Sequence, residues 1–170
     1  ALHLNVTGYS DALGSGALYS STADGNSAFA YQAAYSTTSG TFNSAFGNRT
    51  LYSNSTGSYN VAFGPRALFS NTTASNNTAV GYQAGYSNTT GTTIDAFGYQ
   101  SLYSNTTGNA NVGIGRSALY SNTTGGGNTG LGYTALSNSS TGNYNTALGM
   151  EALRLNTTGS SNTAVGYQAG

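Results

Sequence analysis

The chain has 170 residues, and four small or polar types, 25 Gly, 25 Thr, 23 Ser and 20 Asn, fill more than half of it. Only eight residues carry a formal charge, four arginines against three aspartates and one glutamate, and Lys, Cys and Trp are absent; this excludes the basic field that nucleic-acid binding needs and any disulfide framework. No apolar run approaches the roughly 20 residues of a membrane-spanning helix, so neither a nucleic-acid partner nor membrane insertion by this segment is expected.

A fixed period overrides the disorder that such a composition would otherwise suggest. Ala1, Ala17, Ala33, Thr50, Ala67, Ala84, Ser101, Ala118, Ala135, Ala152 and Ala169 mark one column, spaced by two intervals of 16 and then eight of 17. Residues 1–170 therefore read as a single repeat array. The two short repeats hold His3, Asp11 and Asp24. A Ser/His/Asp site can be imagined there, but an irregular capping turn is the expectation, because terminal repeats are commonly atypical.

Within each repeat the first element is a short strand of the form Thr78–Tyr82. Its large apolar column, Leu13, Phe29, Phe46, Phe63, Val80, Phe97, Ile114, Leu131, Leu148 and Val165, is apolar in every repeat and is expected to form the core ladder inside. The following residue is Gly in every repeat except at Ala30, which marks a bend. A second strand is expected over runs such as Ala118–Asn122. Tyr31, Tyr82, Tyr99, Tyr133 and Tyr167 share one column and Tyr19, Tyr35, Tyr52, Tyr86, Tyr103 and Tyr120 another, as aromatic ladders whose hydroxyls reach water.

The third element is an Asn-Thr-Thr-Gly turn. Its asparagines, Asn5, Asn54, Asn71, Asn88, Asn105, Asn122 and Asn156, all begin Asn-x-Ser/Thr sequons and are expected on the outside as N-glycosylation acceptors, unless the motif is simply good turn chemistry copied many times. Stacked, the Asn and the second Thr after it would form a flat Asn-x-Thr grid, the alternative reading being an ice-binding or glycan-binding surface. A last Asn column, 26, 43, 60, 77, 111, 128, 145 and 162, is broken only by Ile94 and suits an amide ladder.

Repeats of this length with two bends are too short for a helical pair, and no segment keeps a 3.6-residue apolar period. The fold class expected is all-β, a parallel β-solenoid with one repeat per turn and about 4.8 Å per rung, so ten rungs give a rod about 48 Å long. Charge is scarce for the same reason: a like charge on every rung would repel its neighbours, whereas amides and hydroxyls both donate and accept. Ala followed directly by a large apolar residue leaves both strand faces apolar, and one roll has room for only one of them, so lateral homo-oligomerisation, most simply a threefold bundle, is expected.

The titratable residues, His3, Asp11, Asp24, Asp95, Glu151 and four arginines, are scattered over ten rungs; no catalytic site, cofactor or metal is expected. Gly113–Ala118 mimics a dinucleotide fingerprint but falls in register with the repeat and lacks a βαβ context. Arg49 and Arg66 share a column with the distant Glu151 and read as a solvated face or a small anion patch.

The motifs Ala79-Val80-Gly81, Ala96-Phe97-Gly98, Ala147-Leu148-Gly149 and Ala164-Val165-Gly166, each with Ala or Ser three residues after the Gly, resemble the head repeats of trimeric autotransporter adhesins. The chain is also similar to the Gly-Tyr-Gln-Ala-Leu-Tyr-Ser-Asn-Thr-Thr-Gly arrays of bacterial surface proteins and phage tail-fibre-like proteins. That resemblance implies a left-handed roll, three chains side by side, and a place at a cell surface or on a virion fibre. The expectation is therefore a non-enzymatic, extracellular fibre or filament segment with an adhesive surface. Its partners would be itself, as a lateral homotrimer and a head-to-tail filament joined through equivalent end columns, and cell-surface or matrix ligands.

Overall fold

The computed structural model describes residues 9–170. Among them ten three-residue strands, β1 (Asp11–Leu13), β2 (Ser27–Phe29), β3 (Ser44–Phe46), β4 (Val61–Phe63), β5 (Thr78–Val80), β6 (Asp95–Phe97), β7 (Val112–Ile114), β8 (Thr129–Leu131), β9 (Thr146–Leu148) and β10 (Thr163–Val165), form one sheet in sequence order. Every neighbouring pair is parallel; β1 meets β2 at an offset of 16 residues, Asp11 opposite Ser27, and β2 meets β3 at 17, Ser27 opposite Ser44. The fold is an all-β parallel solenoid.

The rung closes because its backbone turns at fixed places. In the rung that starts at Thr78, Gly81 (φ 135°), Gln83 (55°), Gly85 (59°) and Thr93 (55°) all have positive φ. The Gly81 column repeats this in every rung, between 125° and 140°, including Ala30 at 130°. A Cβ at Gly81 would stand 2.5 Å from the Gly98 carbonyl oxygen of the next rung, so the column is glycine because rungs touch there backbone to backbone. The second expected strand is corrected: residues 116–121 form a turn, since Ser117 and Leu119 are left-handed (φ 55° and 53°) and cannot extend.

The Gly85 column is leucine in most rungs, and Leu18, Leu51, Leu68, Leu102, Leu119, Leu136 and Leu153 all sit at φ 49–53°. Left-handed backbone costs a leucine about 1–2 kcal/mol, while full burial of its side chain contributes about 1.5–3 kcal/mol. Burial wins narrowly, and these leucines line the interior. The strands face them with alanine or glycine: Ala28, Ala45, Ala62, Ala79, Ala96 and Ala147 are fully buried, and Gly113 and Gly130 are buried.

This packing corrects the expected core ladder. Leu13, Phe63, Phe97, Ile114, Leu131 and Val165 are exposed, and Phe29, Phe46, Val80 and Leu148 are half-buried. Strand side chains alternate, so once Ala takes the inward position its large neighbour must point out. The narrow interior admits Leu from the turn and only a methyl from the strand. Steric detail supports this: Ser101 replaces Ala in the turn column, and Gly113 opposite it accepts the Ser101 hydroxyl on its carbonyl at 2.7 Å.

The third wall is amide. Asn54, Asn71, Asn88, Asn105 and Asn122 are fully buried. Each Nδ2 from Asn71 to Asn122 donates to the Oδ1 one rung earlier at 2.8–3.0 Å and to the carbonyl three residues on at 2.9–3.0 Å. The second column behaves alike, Asn43, Asn60, Asn145 and Asn162 donating to the preceding Oδ1 at 3.0–3.1 Å. The acceptor-site expectation is thereby corrected for Asn54, Asn71, Asn88, Asn105 and Asn122, whose amide nitrogens are committed inside; Asn156, near the last rung, is half-buried with Nδ2 on the Gly159 carbonyl, and Asn5 lies outside the described residues. Among the described residues the exposed sequon asparagines are Asn48, Asn76 and Asn138.

Candidate functional site

With the interior filled, every surface available for function is a column seen from outside. The first is the outer face of the sheet, where Leu13 through Val165 form an unbroken apolar stripe over ten rungs. Phe29, Phe46 and Phe63 stack on one another at ring-centroid distances of 4.9 and 5.5 Å. The stripe is flanked by the outward residue two positions earlier, polar in most rungs but Val61 and Val112 in two, and, past the glycine bend, by the first tyrosine column. Water against this stripe is unfavourable at about 25 cal/mol per Å² of apolar area.

The second surface is the turn face. Tyr19, Tyr35, Tyr52, Phe69, Tyr86, Tyr103 and Tyr120 form one continuous stack, with centroids 5.0–5.3 Å apart and planes within 12°. Each such pair contributes about 0.5–1.5 kcal/mol beyond its buried area. The column ends at Ser137. Burial pushes the Tyr103 phenol above its ordinary pKa of 10.0, Tyr120, Tyr86 and Tyr82 add to the rise, and Arg66 opposes it.

Beside this stack runs the Gln83 column, in which Gln100 Nε2 donates to Gln83 Oε1 at 2.8 Å and Arg49 Nε donates to Gln32 Oε1 at 2.9 Å. The Arg49 guanidinium also lies 5.7 Å from the Tyr31 ring centre and 5.8 Å from that of Tyr52. Arg116 occupies a tyrosine position in the first column and lies between Tyr99 and Tyr133, at 5.5 and 5.8 Å. Cation–π contact therefore holds two of the four arginines in the ladders. Phe69 and Arg116 fall in register with these columns, a position that the spacing shows and tyrosine identity alone does not.

The third surface is the Thr corner. Thr38, Ser55, Thr72, Thr89, Thr106 and Thr123 each donate a hydroxyl to the carbonyl of the same column in the next rung at 2.9–3.1 Å, and Thr56, Thr73, Thr90, Thr107 and Thr124 form an exposed file beside them. The expected Asn-x-Thr grid is not present, because the Asn points inward and the Thr two residues later points outward.

Among the described residues the ionisable side chains do not converge. No group of three or more His, Cys, Asp or Glu that could hold a metal occurs among the described residues. Glu151 lies 3.6 Å from Arg154 and accepts from Gln168 Nε2 at 2.9 Å, while Arg66 is half-buried on the turn face; His3 lies outside the described residues. No helix among the described residues is long and apolar enough to cross a membrane. No protein-family model, curated protein or solved structure matches this chain.

Proposed function

We propose that the chain is a non-enzymatic, extracellular structural rod that associates laterally with copies of itself, three in the simplest closed bundle, as its resemblance to trimeric adhesin heads implies. One observation carries this reading: the outer sheet face presents large apolar side chains on all ten rungs, with Phe63 57% exposed and Val165 68% exposed. A face about 48 Å long and about 14 Å across three columns is on the order of 700 Å², close to the roughly 800 Å² that each partner of a stable complex buries. The central column of that face is apolar throughout, and a long exposed apolar stripe rimmed by polar residues marks an interaction surface. One stripe per rod favours a closed assembly, because association uses up the surface that drives it. The turn and Thr faces stay outside, where repeated tyrosine, amide and hydroxyl groups would hold cell-surface or matrix ligands by many weak contacts.

Sedimentation equilibrium tests the reading. The wild-type chain is expected at three times its 17.2 kDa mass, and Phe46→Ser/Phe63→Ser/Phe97→Ser, which leaves the interior untouched, at the monomer mass with an unchanged far-ultraviolet spectrum. A wild type that stays monomeric at high concentration would overturn it.

A further inference from the structure

We propose that the second aromatic column is a site of oxidative modification, in which neighbouring tyrosines of successive rungs are coupled to dityrosine by a peroxide-driven one-electron oxidant such as a haem peroxidase. Three observations carry it. First, Tyr19, Tyr35 and Tyr52, and again Tyr86, Tyr103 and Tyr120, are consecutive members of one stack at 5.0–5.3 Å. Because the rings are near parallel, each Cε carbon stands about one centroid spacing from its equivalent on the next rung, and a pivot about the side-chain torsions brings the two together. Second, Tyr19 is exposed and the other five are half-buried, so an oxidant reaches them without unfolding the rod. Third, the usual competitors are missing: the chain has no Cys, no Trp and a single Met, leaving tyrosine as its principal oxidisable side chain.

The chemistry balances. Each of two phenols loses one electron and its hydroxyl proton to give a phenoxyl radical. The two radicals join through a new Cε–Cε bond, and the hydrogens displaced from those carbons return to the two oxygens. In sum two hydrogen atoms leave, and one hydrogen peroxide takes them up as two waters. A ladder favours this outcome because a radical formed on one ring has an equivalent neighbour on the next, so a second oxidation nearby finds its partner already aligned. Phe69 divides the column, since a phenyl ring is not oxidised under these conditions and cannot enter the coupling. The resulting bond would staple rung to rung, opposing the unwinding to which a rod of three-residue strands is most exposed.

The test uses the folded chain at high dilution, oxidised briefly with a photoexcited ruthenium tris-bipyridyl complex and persulfate. The monomer band from a denaturing gel is digested with trypsin, which cuts after Arg49, Arg66, Arg116 and Arg154. Expected are a Tyr35–Tyr52 link joining the peptides that end at Arg49 and Arg66, and a Tyr103–Tyr120 link joining those that end at Arg116 and Arg154. Phe69→Tyr is expected to add a link between peptides 50–66 and 67–116 that the wild type lacks. Tyr59 and Tyr144, which have no tyrosine neighbour in their own column, are expected to stay unlinked. The proposal is overturned if the monomer band carries no dityrosine, if Tyr59 and Tyr144 couple as often as the ladder pairs, or if Phe69→Tyr adds no new link.

Discussion

One rung departs from the rest in two places at once, and the two departures compensate. Gly85 stands where most rungs have an inward leucine, and Ile94 stands where its column otherwise has asparagine; Ile94 is fully buried. An ideal Cβ on Gly85 would lie 3.0 Å from Leu68 Cδ2 and 3.4 Å from Ile94 Cδ1, so the isoleucine fills the space of the missing leucine. Gly85→Leu alone forces a leucine into that occupied space and onto left-handed backbone, at a cost of about 1–3 kcal/mol for overpacking and about 1–2 kcal/mol for the backbone. Ile94→Asn alone leaves a void beside Gly85; the cavity costs about 2–5 kcal/mol, offset by about 1 kcal/mol for each amide hydrogen bond regained. The double variant restores both ladders and is expected close to wild-type stability, a favourable coupling of about 2–4 kcal/mol. Urea unfolding of the four proteins, compared at constant m value, measures it. Effects that add to within about 0.5 kcal/mol would refute the compensation and, with it, the placement of Ile94 against Gly85.

Further expectations follow from single columns. The first Asn ladder stops at Ser139, leaving Asn122 Oδ1 and Ser139 Oγ buried without hydrogen-bond partners; Ser139→Asn supplies a donor to Asn122 and an acceptor for Asn156, and is expected to raise stability by about 1–3 kcal/mol in chemical denaturation. Ala30→Gly removes an L-residue from φ 130° and is expected to stabilise by about 1 kcal/mol, whereas Gly81→Ala, 2.5 Å from the next backbone, costs more than that in the same assay. Because the folded pKa of Tyr103 is raised above 10.0, chiefly by burial, the stability it contributes is complete below pH 10 and lost as pH climbs through the raised value. Thermal melts should fall above pH 10 and fall less in Tyr103→Phe; an equal fall in both would count against a coupled phenol stack.

The period, the parallel stacking and the place of the one strand in each rung were legible in the sequence, because stacking forces equivalent residues into register and the register is visible as spacing. Facing was not. Ala79 and Val80 are both apolar, and alternation says only that they point opposite ways; the choice depends on how wide the interior is, which the left-handed leucines of the turn decide. That same conformation hid the turn itself, since Ala-Leu-Tyr-Ser-Asn reads as strand by composition and only a leucine at φ 53° at Leu119 makes it bend. The Asn-Thr-Thr corner misled for a related reason. Polar sequon residues suggest a surface, yet an asparagine that meets an identical asparagine on the next rung satisfies its amide internally, and burial of such a column costs little.

Function here depends on which residues face out and on whether that outer face is covered by another copy, and both are read by the thiol reactivity of cysteines placed in a chain that has none. Ile114→Cys and Leu102→Cys sample the outer stripe and the interior. On dilution from the assembled to the monomeric state, the account predicts that Ile114→Cys turns from slow to fast maleimide labelling while Leu102→Cys stays slow throughout. Labelling of Leu102→Cys as fast as Ile114→Cys would invert the two faces, and an Ile114→Cys that labels fast at every concentration would leave the stripe uncovered and contradict lateral assembly.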